Sequence, residues 1–391
     1  MSNSVYIAGA FEHPTREAPD KSAMQLHAEV ARGALADAGL PKSRVNGFAT
    51  AGIPEYKHTF KGPMMMADYL GLRGVSWAEN TDDGGGAQLT HMAHAVSAIR
   101  DGKCDVVLIT LGGRPRSRAQ NTGTGGTAGT TMQDNFEHIH GNTVITRYAM
   151  VAKRHMHEYG TTPLQFGAIR EAVSYHAQFN DDALYPDPVT AQDVVNSRTI
   201  SDPIHLLDCC VISDGGAAVV LVSSDVADEL ARECVEIIGC GESITHHDAG
   251  RMNILETGAR ESGDSAFDEA GISRSDVDYA SLYDSFTVTV LLELEDLGFC
   301  EKGAGGEFAE SGALKAPDGE LPVNTDGGGL CSNQPANKGG LTKVVEAVRQ
   351  LRGETAPEVQ IPNARYAIAH GMGGDFVTRE KHTTLLLEAP R

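Results

Sequence analysis

The sequence predicts an α/β protein built from two similar halves. One observation is a glycine-dense turn at residues 82–86, which opens an amphipathic helix that stops at Gly102. A run of apolar β-forming residues at 105–111 follows and is typical of a fully buried strand. The second observation is that the same order of motifs begins again after residue 234. Such a recurrence indicates a duplicated βαβα unit.

The first half starts with short elements that apolar spacing and glycines define. Residues 4–9 read as a strand that ends in glycine, and residues 21–39 have apolar positions at helical spacing, with Gly39 as the cap. A strand at 45–50 and a short helix at 64–71 come next. The glycine turn then follows, and the backbone N–H groups of such a turn are suited to an anionic or carbonyl ligand.

Residues 114–202 have a different character and predict a helical insertion over the α/β core. Helical periodicity runs through 146–159 and 163–179, whereas the Gly/Thr run at 122–130 lacks the GK[ST] ending of a phosphate loop and predicts a plain loop. No carboxylate or cysteine stands at ligand spacing beside the histidines of this region, so no metal site is expected; these are His138, His140, His155 and His157.

The second half repeats the first in order. Residues 235–241 parallel residues 5–10, and the segment that ends at Gly39 is echoed by one that ends at Gly271. Two halves of this size, each too small to cover both faces of its sheet, predict face-to-face packing that brings both sets of glycine turns to one central site. The predicted halves are residues 1–233, with the insertion, and residues 234–391.

Composition restricts the class of function. The 391 residues are 41% hydrophobic and 22% charged, as expected for a globular protein with a core, and carry a formal net charge of −21. This acidity argues against nucleic acid or an anionic membrane as a partner. No leader or membrane-spanning segment is read from the sequence, which predicts a cytoplasmic protein. Seven scattered cysteines without CxxC spacing favour reduced thiols over disulfides or zinc.

Several stretches together resemble thiolases of the sterol-carrier-protein type. They are GGGAQLTHMAHAVSAIRDGKCDVVLI, SDPIHLLDCCVISDGGAAVVLV, LYDSFTVTVLLELEDLGFCEKG and NTDGGGLCSNQPANKGGLTKVVEAVRQLRG. The resemblance runs from Val5 to about Glu388 and implies a duplicated thiolase fold in α/β/α/β/α layers. It also implies a CoA thioester as substrate, with no covalently bound cofactor, and a homodimer.

The residues depart from the thiolase pattern at the positions that carry thiolase chemistry. Gly85 stands where the nucleophilic cysteine is expected, at the start of a buried helix that would lower the pKa of a thiol. Gln334 and Tyr283 stand where two histidines are expected. An acyl-enzyme is therefore not expected, and the chain resembles the thiolase-like steroid side-chain aldolases, which lack this cysteine.

The remaining groups suit retro-aldol cleavage of a β-hydroxyacyl-CoA. Tyr283 and His370 are the candidate acid and base, with Asp284 or Asp83 to orient them. The candidate binding groups for the thioester and its oxyanion are Gly84, Gly85, Gly86, Asn333, Gln334 and Gly373. Each has a structural alternative: Tyr283 as a buried core tyrosine, His370 as a packed histidine, and Asp82 and Asp83 as helix caps.

Two other functions stay open at this level. A thiolase with displaced groups would use Cys331 or Cys210 as nucleophile, although buried free cysteine is the commoner state of Cys331. A non-catalytic chain would instead support a second, cysteine-bearing thiolase subunit. For the aldolase, the resemblance implies a small partner with an OB fold and a zinc ribbon in a heterotetramer, and a place in lipid or steroid degradation.

Overall fold

The computed structural model describes residues 4–51, 62–119, 143–246, 248–335, 338–376 and 379–390. The predicted loop at 122–130 and the histidines His138 and His140 lie outside the described residues. Within the described ranges, no helix is long and apolar enough to cross a membrane.

The first half and its insertion contain the elements that the periodicity predicts. The core elements are β1 (Val5–Glu12), α1 (Ala23–Asp37), β2 (Gly47–Thr50), α2 (Gly62–Leu70), β3 (Trp77–Glu79), α3 (Ala87–Arg100) and β4 (Val106–Gly113). The insertion supplies α4 (Val144–Tyr159), α5 (Pro163–Ala177), α6 (Ala191–Asn196), β5 (Thr199–Ser201) and β6 (Ile204–His205). The half then closes with β7 (Gly215–Ser223) and α7 (Ser224–Ala227).

The second half repeats the core order of the first half without β3 and without the insertion. Its elements are β8 (Val235–His246), α8 (Ala259–Ala270), β9 (Tyr279–Leu282), α9 (Thr287–Asp296), α10 (Gly305–Glu310), α11 (Gly340–Arg352), β10 (Tyr366–Asp375) and β11 (Arg379–Glu388). The predicted boundary between residues 233 and 234 falls in the segment that joins α7 to β8.

The strand pairings have the same topology in both halves. The sheet order is β3-β2-β4-β7-β1-β8-β11-β10-β9. In the first half β2 runs parallel to β4, and β4, β7 and β1 alternate in direction. In the second half β9 runs parallel to β10, and β10, β11 and β8 alternate in the same way. The duplication inferred from the sequence is therefore present in the fold.

The halves also join edge to edge, which the sequence did not predict. β1 and β8 pair antiparallel, with Val5 opposite Ile237 and Ile7 opposite Val235, so the two sheets are hydrogen-bonded into one. Helices α3 and α11 pack against each other and against strands of both halves. Both are buried around nearly their whole circumference because they lie between sheet layers rather than at the surface. The layered α/β arrangement is confirmed.

The insertion of the first half covers the second half. Helices α4 and α5 are preceded by the N-cap residues Thr143 and Thr162, whose side chains each accept a hydrogen bond from a backbone N–H in the first turn. Their apolar faces belong to one core cluster with α9, α10 and the outer face of β10. This packing places α4 beside the glycine turn that precedes α3, and a cavity lies between them.

Candidate active site

A cavity of about 450 Å³ lies where the glycine turn, the insertion and the second half meet. Most of its wall is apolar. The lining residues are Gly84, Gly85, Val144, Ile145, Tyr148, Arg198, Ile200, Leu206, Cys209, Cys210, Ile212, Tyr283, Ser285, Phe286, Gln334, Met372, Gly373 and Gly374. A volume of this size is typical of cavities that bind drug-sized organic ligands, and the few polar side chains are the ones available to orient a bound group.

The glycine turn forms the end of the cavity from which α3 starts. Gly84–Gly86 make one 3₁₀ turn directly before α3, as the sequence predicted. The turn lies against β10 so closely that a Cβ on Gly373 would overlap the carbonyl oxygen of Asp83. Glycine at positions 84 and 373 permits this close approach of the two backbones. The turn directs the amino end of α3, with its partial positive charge, at the cavity.

Tyr283 fills the space in front of Gly85. A Cβ added to Gly85 would overlap the Tyr283 ring and would lie 2.5 Å from the carbonyl oxygen of Met372. Position 85 therefore has no room for a cysteine side chain in this structure. The departure at Gly85 and the departure at Tyr283 are two parts of one change, since the tyrosine occupies the volume that a nucleophile would need.

The hydroxyl of Tyr283 pairs with Gln334. The Nε2 of Gln334 donates to the Tyr283 Oη at 2.7 Å, which leaves the phenol proton free to point elsewhere. Burial raises the pKa of Tyr283 well above its ordinary value, with smaller contributions from Cys210 and Tyr148, and the Gln334 hydrogen bond only partly opposes this. Tyr283 is consequently a neutral phenol near pH 7, suited to donate a proton rather than to remove one.

Asn333 and Gln334 have different roles. Gln334 reaches the cavity, whereas Asn333 is tied into the core: its Oδ1 accepts from Ser213 Oγ at 2.6 Å and its Nδ2 donates to Glu12 at 2.6 Å. The backbone N–H of Gln334 also donates to Ser213 at 2.9 Å. Asn333 therefore holds the loop that presents Gln334, which differs from the predicted contact between Asn333 and a thioester.

Asp284 lies behind the cavity rather than in it. Its carboxylate is completely buried, forms an ion pair with Lys343 at 2.6 Å, and accepts the backbone N–H groups of Gly329 and Leu330 at 2.9 and 3.1 Å. These contacts use its oxygens without involving Tyr283 or His370. The position corrects the prediction that Asp284 orients the catalytic acid and base, because the contacts instead fix the neighbouring loop.

His370 is buried beneath the cavity, two residues before Met372 on the same face of β10. Its Nδ1 is 2.9 Å from Thr384 Oγ1 and its Nε2 is 3.2 Å from His382 Nδ1. Burial, with the neighbouring His382, lowers the pKa of His370 well below its ordinary value. Both ring nitrogens have partners, so His370 does not face the cavity as the predicted base.

The aspartates that precede the turn form ion pairs. Asp82 contacts Lys338 at 2.5 Å and accepts the N–H of Gly84 at 3.3 Å, and Asp83 lies 3.4 Å from Lys381. Gly86 is the N-cap of α3, without a side-chain cap bond. The two aspartates thus attach the turn to the second half and do not cap the helix.

The candidate cysteines are poor nucleophiles. Cys331 is completely buried and outside the cavity lining, and burial raises the pKa of its thiol to about 11. Cys210 does line the cavity, but burial raises the pKa of its thiol to about 12. Both thiols stay protonated near pH 7, and the thiolate is the reactive form.

Tyr148 is the cavity residue that sequence reasoning missed. It lies on α4, its ring stacks on Phe376 at 4.2 Å and contacts Phe286 at 4.1 Å between centroids, and its hydroxyl is 3.1 Å from Ser285 Oγ. Burial raises its pKa above the ordinary value. Helical periodicity located α4, but no motif distinguishes Tyr148 from other residues on the buried face, so its role depends on tertiary packing.

The described residues contain no cluster of three or more His, Cys, Asp or Glu side chains arranged to hold a metal ion. The cavity polar groups are phenol, amide, hydroxyl, thiol and backbone N–H, together with Arg198. These groups are able to transfer protons and to donate hydrogen bonds to an oxygen that develops negative charge.

Comparison with known proteins identifies relatives along the whole chain. Residues 241–389 match the family described as thiolase C-terminal domain-like. The chain is 34% identical to the 17-hydroxy-3-oxo-4-pregnene-20-carboxyl-CoA lyase of Mycobacterium tuberculosis, over 92% of this chain and 94% of the relative. It is 31% identical to an acetyl-CoA acetyltransferase of Methanothermobacter thermautotrophicus, over 97% and 98%. The solved Ltp2-ChsH2(DUF35) aldolase superposes with a TM-score of 0.87 at 30% identity, covering 100% of this chain and 98% of that one.

Proposed function

Because this chain belongs to the thiolase superfamily and the Tyr283 ring fills the space that a nucleophile at position 85 would need, we propose that it cleaves a carbon–carbon bond of a β-hydroxyacyl-CoA by a retro-aldol reaction. The observation that carries the proposal is the overlap between the Tyr283 ring and the side-chain position of Gly85. This overlap leaves no room for an acyl-enzyme at position 85. The neutral phenol of Tyr283 occupies that space.

The amino end of α3 and Gln334 supply the proposed oxyanion site. In a retro-aldol step the β-hydroxyl loses its proton, the Cα–Cβ bond breaks, and its electrons move into the thioester as an enolate. Partial positive charge at the turn that ends in Gly86, with the Gln334 amide nearby, stabilises that negative oxygen. The thioester carbonyl accordingly lies against Gly84 and Gly85 in the proposed complex.

Tyr283 is the proposed proton donor to the enolate carbon. The Tyr283 ring lies against Gly85, where the thioester carbonyl is proposed to bind, and Cα is bonded to that carbonyl carbon, which supports Tyr283 as its proton donor. Its raised pKa keeps the proton available at neutral pH. The proposal keeps Tyr283 as the acid that was predicted from the sequence. It assigns the contact with the β-hydroxyl to groups other than His370, the base predicted from the sequence.

Tyr148 and Ser285 are the proposed partners of the β-hydroxyl. Both line the cavity, and they are hydrogen-bonded to each other beside the Phe286 ring. The β-carbon is one bond further from the thioester than Cα. In the proposed complex it lies toward the apolar wall of the cavity, beside these two hydroxyls. Two hydroxyls at this point can bind the alcohol and the carbonyl oxygen that forms from it.

The apolar wall supports a bulky hydrophobic acyl group. Ile145, Ile200, Leu206 and Phe286 bring no charge to the cavity, and the lyase relative is named for a pregnene carboxyl-CoA. A steroid-like or similarly apolar acyl-CoA is the proposed substrate. The aldolase structure is named with a DUF35 component, which supports a partner of that kind for this chain. We further propose, from the resemblance in sequence, that this partner has an OB fold and a zinc ribbon and binds a homodimer of this chain in the cytoplasm.

The test is a cleavage assay on the chain co-expressed with its DUF35-type partner. A β-hydroxyacyl-CoA with an apolar acyl group should yield a ketone or aldehyde and a shorter acyl-CoA, detected by mass spectrometry. Intact-mass analysis during turnover should show unmodified protein. Accumulation of an acyl group on Cys210 or Cys331 would instead support a thiolase with displaced groups, and an inactive complex would support a non-catalytic chain.

A further inference from the structure

The start of α11 touches both parts of the proposed oxyanion site. A Cβ added to Gly340, the first residue of α11, would lie 2.3 Å from the carbonyl oxygen of Gly85. A Cβ added to Gly339, the residue before it, would lie 2.0 Å from Oε1 of Gln334. Glycine at both positions lets the backbone lie against the turn on one side and against the amide on the other. The position of the start of α11 therefore affects both donors.

The amide of Gln334 is held in place at both of its ends. Its Nε2 donates one N–H to Tyr283 Oη at 2.7 Å and keeps a second N–H for a ligand. Its Oε1 is buried against Gly339 and has no hydrogen-bond partner within the described part of the chain. Packing, rather than a hydrogen bond, thus holds this end of the amide. A shift of Gly339 would leave the amide free to turn.

An ion pair ties the start of α11 to the glycine turn. Lys338 directly precedes Gly339, and its Nζ lies 2.5 Å from Oδ2 of Asp82. The other carboxylate oxygen of Asp82, Oδ1, accepts the backbone N–H of Gly84 at 3.3 Å. One carboxylate therefore bridges the turn of the first half and residue 338 of the second half.

The two members of this ion pair differ in burial. The side chain of Lys338 is 9% exposed, whereas that of Asp82 is 46% exposed. A largely buried ammonium is costly without a counter-charge, so Lys338 is held beside Asp82. Because Asp82 is half-exposed, Asp82→Asn removes the charge without opening the core. The asparagine oxygen can still accept the N–H of Gly84.

We propose that Asp82 and Lys338 are positioning residues for the oxyanion site. Their ion pair fixes the separation between the amino end of α3 and the amide of Gln334, so that both donate to one thioester oxygen. This role rests on the proposed retro-aldol function, and neither side chain is part of the cavity wall. A displaced donor loses most when that oxygen carries the charge of the enolate, so the ion pair acts on the chemical step.

Single-turnover cleavage by the complex with its DUF35-type partner tests this role. Asp82→Asn and Lys338→Met should each lower the saturating rate constant at least about tenfold. The half-saturating substrate concentration should change by less than about twofold, because the interaction is made in the transition state. The double variant Asp82→Asn/Lys338→Met should be no slower than the slower single variant, since all three lose the same contact. It also replaces Asp82→Asn if that variant does not fold.

Arg100→Met is the matched control. Arg100 forms an ion pair with Glu269 at 2.5 Å, which also joins the two halves but lies at the opposite end of α3. This variant should cleave at the wild-type rate. Wild-type rate constants in Asp82→Asn and Lys338→Met would overturn the positioning role. A weaker half-saturation with an unchanged rate constant would overturn it as well, because the ion pair would then serve substrate binding alone.

A spectroscopic probe reports the donors without relying on cleavage. The probe is acetyl-CoA labelled with ¹³C at its carbonyl, bound at saturation, and its infrared C=O band falls in frequency as hydrogen bonds to the carbonyl strengthen. The band should lie higher in Asp82→Asn and Lys338→Met than in wild type and Arg100→Met. The same frequency in all four proteins would overturn the positioning role, even if the two variants were less stable.

The two measurements separate the two proposals. If the wild-type complex cleaves no β-hydroxyacyl-CoA but the bands follow the expected order, the proposed function fails and the positioning role stands. If the wild-type complex cleaves its substrate and Asp82→Asn and Lys338→Met match it in both rate and band, the positioning role fails and the proposed function stands.

Discussion

The ring of Tyr283 occupies the volume into which a side chain at Gly85 would extend. This relationship joins the amino end of α3 in the first half to the end of β9 in the second half. It explains why the departures at positions 85 and 283 occur together. A side chain at position 85 would overlap the Tyr283 ring, and a smaller residue at position 283 would leave an empty space beside Gly85. The remaining neighbours of the two residues suggest several direct tests.

Gly85→Cys should not restore a thiolase and should destabilise the protein. The added side chain meets the Tyr283 ring and the Met372 carbonyl, and overpacking of this kind costs roughly 1–3 kcal/mol. The double variant Gly85→Cys/Tyr283→Ala should lose less free energy of unfolding than the two single variants lose in sum. The reason is that the Tyr283 ring is absent, so that only the contact with the Met372 carbonyl remains. Guanidinium unfolding of all four proteins measures this coupling. Additive effects would mean that the ring does not occupy the site.

Tyr283→Phe should lower kcat by about 10²–10⁴-fold, the usual range for loss of an acid–base group. The phenyl ring still fills the space beside Gly85, so the fold is retained, although Gln334 loses its acceptor. The same variant should also lose exchange of the Cα hydrogen of the product acyl-CoA in D₂O, because Tyr283 is the proposed donor to Cα. Wild-type exchange in Tyr283→Phe would assign the proton transfer to another residue.

Tyr148→Phe should separate cleavage from exchange. Its hydroxyl is proposed to bind the β-hydroxyl and not Cα, so we expect a loss of at least about 10²-fold in cleavage with the Cα exchange unchanged. Tyr159→Phe, on the same helix with a partly exposed ring, is the matched control and should retain both activities. NMR of the acyl-CoA in D₂O reports the exchange. Parallel loss of both activities in Tyr148→Phe would indicate a structural defect.

Asp284→Asn should destabilise the protein strongly. It leaves the completely buried ammonium of Lys343 without its counter-charge, and breaking a buried ion pair in this way costs about 3–5 kcal/mol. Asp284→Asn/Lys343→Met removes both charges and should recover much of that loss. Denaturant unfolding provides the comparison. A stable single variant with low kcat would instead restore the acid–base orienting role predicted from the sequence.

His94 should contribute stability that depends on pH. Its ring contacts Glu79 at 2.7 Å and Glu242 at 3.1 Å, and hydrogen bonds to these carboxylates raise the pKa of His94 to about 10. The folded-state pKa lies above the unfolded value of about 6.5, so the contribution is complete below that value and is lost as the pH rises to about 10. The stability deficit of His94→Gln should therefore be largest at pH 6 and shrink toward pH 10 in denaturant unfolding. A pH-independent deficit would contradict the ion pairs.

The sequence by itself determined the duplicated α/β fold and most of its elements. Apolar periodicity and glycine stops are local properties of the chain, which is why α1, α3, α4 and β4 appear where the pattern placed them. The glycine turn at the start of α3 was also identified, because only glycine permits its backbone to approach β10 so closely. The absence of a cysteine there is visible in the sequence without any structure.

Only the tertiary structure decided which groups reach the cavity. Tyr148 comes from the insertion, Tyr283 and Gln334 come from the second half, and their meeting depends on how the insertion packs across α9 and β10. Asp284 and His370 looked catalytic because they stand beside catalytic motifs, yet both point into the core, where Lys343 and His382 pair with them. Neighbours in sequence can face opposite sides of a strand or loop, so side-chain direction is set by long-range packing and not by the motif.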